Sequence, residues 1–175
     1  MLENIKYIHE CGYIHRDIKP DNFVINIKKN KLYCIDFGLA KTYLYRKKHV
    51  EFRKDHKFCG TVRYASISAH KGYTQSRRDD LEAIGYVLVY LFKASLPWMG
   101  IKHEDKKERY RLIMEKKLET SEKDLCEQLP REFLIYFKYI KSLDFEEKPR
   151  YNSLIKMFKE LYESKKYNNH KFEWE

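Results

Sequence analysis

A chain of 175 residues with 43% hydrophobic content is long enough to bury a core as one domain, or as one large piece of a two-lobed one, and general disorder is excluded. No apolar run approaches the ~20 residues of a membrane span, the start MLENIKYIHE has no secretory pattern, and Cys11, Cys34, Cys59 and Cys126 avoid CxxC spacing; no membrane insertion and a reduced cytoplasmic or nuclear setting are expected. The net charge of +10 admits nucleic acid, acidic membrane or acidic and phosphorylated peptides as partners, or no more than solvated helix faces.

Residues 2–10 read as a short helix ending at Gly12, with Leu2, Ile5 and Ile8 on one face. Residues 23–27 and 32–35 read as strands joined by a turn at 28–31, and residues 41–73 as a long functional loop region. From Asp79 to Ala94 a helix carries Leu81, Ile84, Leu88 and Leu91 in phase; Val87 and Phe92 widen the stripe, so burial nearly all round is expected. Residues 104–117 read as a charged surface helix. Residues 131–142 and 151–163 read as amphipathic helices presenting Phe133, Phe137 and Ile140, and Leu154, Ile155, Phe158 and Leu161.

His15-Arg16-Asp17-Ile18-Lys19-Pro20-Asp21-Asn22 resembles the protein kinase catalytic loop, H-R-D-L-x-x-x-N, with Ile in place of Leu. The residue types suit the chemistry: Asp17 accepts a hydroxyl proton, Lys19 neutralises a transferring phosphate, and Asn22 offers a neutral oxygen to Mg2+. Fourteen residues after Asn22 stands Asp36-Phe37-Gly38, behind the apolar stretch 33–35. Asp36 would hold the metal bridging the phosphates of ATP. Two ordered motifs at this spacing make coincidence negligible. Asp80, five residues before Gly85, resembles the helix-start aspartate that supports the catalytic loop alongside His15; an ordinary N-cap is the plain alternative.

Nearly the whole chain resembles the casein kinase I family of protein serine/threonine kinases. The phrases are IKPDNF (18–23), IDFGLAK (35–41), GTVRYAS (60–66), QSRRDDLEAIGYVLVY (75–90), SLPWMG (95–100) and EKKLET (115–120), with Ser66-Ile67-Ser68 where the family has Ser-Ile-Asn. The resemblance implies a mainly α kinase C-terminal lobe over residues 1–175, with a small β-hairpin at the catalytic loop, and ATP and Mg2+ as cofactors. Val24 and Ile35 would floor the adenine pocket. Substrates would be acidic or already phosphorylated proteins. Their anion would meet Arg63, Gly100 and Arg109, the last usually lysine in the family. A second basic site would use Arg16 and Lys41, with His56, beside Lys57, at the third position. Nucleic acid becomes an unlikely partner.

The Gly-rich loop, the phosphate-binding lysine and its paired glutamate have no counterpart in the fourteen residues before His15. An N-terminal lobe is therefore expected to be missing, and the chain to be inactive by itself. Two functions stay open: part of an active kinase, or a non-catalytic half-kinase that binds acidic or phosphorylated partners. A basic nucleic-acid-binding fragment is the weaker third.

Overall fold

The computed structural model describes residues 1–166, a mainly helical arrangement with small antiparallel hairpins. Helix α1 (Leu2–Glu10) buries Leu2, Ile5 and Ile8 and turns at Gly12 into strand β1 (Tyr13–Ile14). Strands β2 (Phe23–Asn26) and β3 (Lys31–Cys34) form the hairpin read from the sequence, with Phe23 opposite Cys34 and Asn26 opposite Lys31. Its turn is a 3-10 segment, Ile27–Lys29, capped by the Asn26 side chain and closed by Asn30 at φ 44°. Asparagine tolerates that left-handed conformation better than most residues.

The loop expected over 41–73 contains more order than its weak periodicity predicted. Strand β4 (Lys41–Thr42) pairs with β1, β5 (Leu44–Tyr45) pairs with β6 (Lys48–His49), and α2 (Ile67–His70) is one short helix. Two-residue strands carry no period for sequence reading to detect.

Helix α3 (Arg77–Lys93) runs through the core, with Leu81, Ile84, Val87 and Val89 fully buried. Burying each such side chain stabilises the fold by roughly 1.5–3 kcal/mol. Burial all round holds only for its first three turns: Leu91 is 60% and Phe92 55% exposed, a correction to the sequence expectation. The helix leaves the core before its apolar pattern stops.

Against α3 packs α6 (Arg131–Ser142), and Gly85 sets how closely. A Cβ there would lie 2.7 Å from Phe137 Cζ and 3.0 Å from Tyr136 Cε1. The Tyr136 hydroxyl donates to the Leu81 carbonyl at 2.7 Å, so a fully buried ring carries no orphaned polar atom. Helix α7 (Tyr151–Ser164) covers α1 and α6.

Helix α4 (Lys106–Glu119) starts and ends two residues later than the spacing predicts. It is charged, yet Ile113 and Lys117 on it are buried, so it is not simply a surface helix. Helix α5 (Glu122–Leu125), one turn long, was not visible in the sequence pattern. No helix among the described residues is long and apolar enough to cross a membrane.

Candidate active site

The site begins at a strained backbone. Arg16 sits at φ 67° and Asp36 at φ 59°, both left-handed and neither glycine. Such conformations persist only where the surroundings over-determine them. At Arg16 the surroundings are Asp80. Its Oδ1 accepts the Arg16 N–H at 2.8 Å and its Oδ2 the His15 N–H at 2.7 Å. Asp80 Oδ2 also lies 2.8 Å from His9 Nε2, whose Nδ1 is 2.6 Å from the Tyr151 hydroxyl. The carboxylate only accepts, which places a proton on Nε2. Asp80 thus reaches across the loop rather than acting as an N-cap; Ser76 caps the helix, and Asp79 at its third position reaches back to accept the Ser76 N–H at 2.7 Å.

His15 is fully buried beneath the loop. The Asp17 N–H donates to its Nδ1 at 3.3 Å, and its Nε2 lies 3.1 Å from the Ile35 carbonyl. One tautomer satisfies both contacts and ties the first motif to the second. The Ile35 N–H to Asn22 carbonyl bond at 2.9 Å does the same one residue before Asp36.

Asp17 gathers the other groups. Lys19 Nζ donates to its Oδ2 at 2.8 Å and Thr61 Oγ1 to its Oδ1 at 2.6 Å. Asn22 Nδ2 donates to its backbone carbonyl at 2.9 Å. Burial works against ionisation of Asp17. The bonds from Lys19 and Thr61, with the Lys19 charge, outweigh it and hold the carboxyl below its ordinary range. The same contact raises Lys19. Asp17 is therefore an anion with an adjacent cation, the state a proton acceptor needs. From the sequence alone Thr61 is one letter of GTVRYAS and carries no role. It arrives through Gly60, at φ 111°, where a Cβ would sit 2.6 Å from the Arg16 carbonyl.

Beyond this cluster lie two basic cavities. Arg63, Gly100 and Arg109, from three distant segments, line one of about 210 Å³ together with Trp98 and Ile113. Gly100 takes φ 85°, and the space beside its Cα is open. The Trp98 Nε1–H donates to the Arg63 carbonyl at 2.7 Å, and the Arg63 guanidinium lies 5.9 Å from the Tyr64 and Tyr90 ring centroids. Arg109 Nε is buried with no hydrogen-bond partner among the described residues. Arg16, Lys41, His56 and Lys57 line the other cavity, of about 470 Å³. Sequence reading missed Arg53, which joins them there. His56 Nε2 lies 3.1 Å from Thr74 Oγ1.

A family model of the protein kinase domain matches residues 1–167. The chain belongs to the protein kinase domain family. Kinase domains generally use ATP with Mg2+ and act on proteins. The donor set of this kinase domain fits a hard cation. Asn22 commits its amide nitrogen to Asp17, which leaves Oδ1 as the atom that could meet a cation, and Asp36 presents an exposed carboxylate. Val24 and Ile35 stand 43% and 40% exposed on the same side of the hairpin region. Among the described residues no cluster of three His, Cys, Asp or Glu side chains could hold a metal without further ligands.

Proposed function

We propose that the chain is the catalytic-loop lobe of a serine/threonine kinase of casein kinase I type, recognising acidic or already phosphorylated peptides. The observation that carries this is the 210 Å³ cavity where Arg63, Gly100 and Arg109, from three distant segments, converge. Two arginines lining one concavity match a phosphate or carboxylate oxygen. Gly100 lets an anion approach the main chain without a side chain in between.

In the reaction, Asp17 accepts the proton of the substrate hydroxyl. Thr61 and Lys19 orient its two oxygens, and Lys19 faces the transferred phosphate. Asn22 and Asp36 would hold Mg2+, which supplies charge neutralisation to the phosphates of ATP. Asp80 and His15 keep the loop in the strained form that aims Asp17.

A second reading is a binding module for acidic or phosphorylated partners that performs no transfer. The cavity lined by Arg63, Gly100 and Arg109 uses none of Asp17, Asn22 or Asp36, so peptide binding by it would not depend on transfer.

Paired peptides, with and without a phosphoserine upstream of a serine, test the shared claim. The phosphorylated one is expected to bind tighter by on the order of 1–3 kcal/mol at low salt, less at high salt. Arg63→Ala with Arg109→Ala should remove the difference and Asp17→Asn should keep it. Equal affinities in a folded sample refute the anion site.

A further inference from the structure

Lys117 is a lysine almost completely removed from solvent, 2% exposed, on a helix whose charge pattern places it outside. Its amino group has three polar neighbours and none is a carboxylate. It donates to the Val62 carbonyl at 3.0 Å and the Ala65 carbonyl at 2.6 Å, and lies 3.1 Å from His70 Nε2. Two aromatic faces enclose it, with Tyr86 and Trp98 centroids 5.0 and 5.1 Å away. Trp98 in turn holds the Arg63 carbonyl between those two. Three carbonyls of the segment 62–65 are therefore met by neighbouring side chains, with His70 Nε2 also 3.2 Å from the Val62 carbonyl.

Burying an amine costs free energy that an apolar side chain of the same length would avoid. What the amine adds is a fixed loop. Just before the clamped stretch, Thr61 meets Asp17; within it, Arg63 enters the anion cavity. We infer that Lys117 is a positioning residue for peptide recognition, clamping the backbone of 62–65 so that Arg63 is set in the anion cavity and Thr61 on Asp17.

The clamp works in either protonation state. Burial pushes Lys117 down to about 7, partly offset by Glu82, and burial with the Lys117 charge pushes His70 down to about 3. A charged Lys117 donates to both carbonyls and to His70 Nε2. A neutral one donates to both carbonyls and accepts from Nε2–H.

This inference rests on the anion-site reading, and the test separates the two. The 175-residue chain and its Lys117→Met variant are titrated with the phosphoserine peptide and its unphosphorylated twin, with thermal unfolding as the check of fold. The ratio of the two affinities is expected to fall about tenfold in the variant, the loss of one well-placed charge-assisted contact, while the twin's own affinity changes little. A filled core alone would leave the ratio unmoved. A high ratio retained by a folded Lys117→Met overturns the role of Lys117 and leaves the anion site standing. No preference in the unmodified chain overturns the anion site and this role with it. Should Lys117→Met not fold, Lys117→Gln takes its place under the same expectation: one bond shorter, it cannot hold both carbonyls.

Discussion

Asp80 Oδ1 accepts the backbone N–H of Arg16 at 2.8 Å, across 64 residues of sequence. That bond, with the one to His15, holds an arginine at φ 67° beside the residue proposed as proton acceptor. Asp80→Ala leaves two buried loop N–H groups and the His9 ring nitrogen unpaired at once. The variant is expected to lose at least about 2–3 kcal/mol of unfolding free energy, since an unsatisfied buried group costs about 1–3 kcal/mol. Urea denaturation measures it. A loss below about 0.5 kcal/mol would mean that water replaces the carboxylate there.

The exposed Val24 and Ile35 lead to a second expectation. A nucleotide gains affinity from enclosure, and these two side chains offer one wall of it. Calorimetry of the 175-residue chain with Mg-ATP should show binding weaker than the micromolar range. Micromolar binding that disappears in Asp36→Asn contradicts this.

Exposed apolar surface also governs solution behaviour. Val24, Ile35, Phe37 and Leu39 are all exposed along the hairpin and the segment after it. Light scattering over a concentration series should show the mass of the 175-residue chain rising with concentration, and Val24→Lys should reduce the rise. A monodisperse monomer at every concentration counts against the patch as a sticking surface.

Stability should carry the signature of Lys117. Its folded-state value is pushed down to about 7, whereas an unfolded lysine holds its proton to about 10.5. Between the two, the unfolded chain binds more protons, so stability rises with pH. His70, pushed down to about 3 from 6.5, is neutral in the folded chain there and adds only a small slope of the same sign close to pH 7. From pH 7 to 9 the stability difference between the unmodified chain and Lys117→Met should therefore move in favour of the lysine. A flat difference in urea titrations at the two pH values contradicts the buried, proton-shedding amine.

Local patterns make much of this legible in the sequence. The H-R-D and D-F-G runs keep their meaning because each is a few consecutive residues. The long helices announce themselves through apolar periods, as with Ile5 and Ile8 on α1 or Phe133 and Phe137 on α6. Lys117 could not be read this way. A lysine among charges looks solvated, and its partners Val62 and Ala65 lie 55 and 52 residues away. His9 escaped for the same reason, since its contact with Asp80 spans 71 residues. The over-extended burial of α3 has the opposite cause: Leu91 and Phe92 continue the period after the neighbouring helices have ended their cover.

The central claim is that a peptide's anion enters the Arg63–Gly100–Arg109 cavity rather than the larger basic one around Lys41 and His56. A nuclear magnetic resonance titration of the 15N-labelled chain with the phosphoserine peptide decides between them. The Gly100 amide and the Trp98 indole N–H are expected to shift and saturate together, and to stay still when Arg63→Ala and Arg109→Ala are combined. Shifts confined to Lys41, His56 and Lys57, or no shifts in a folded sample, would contradict the account.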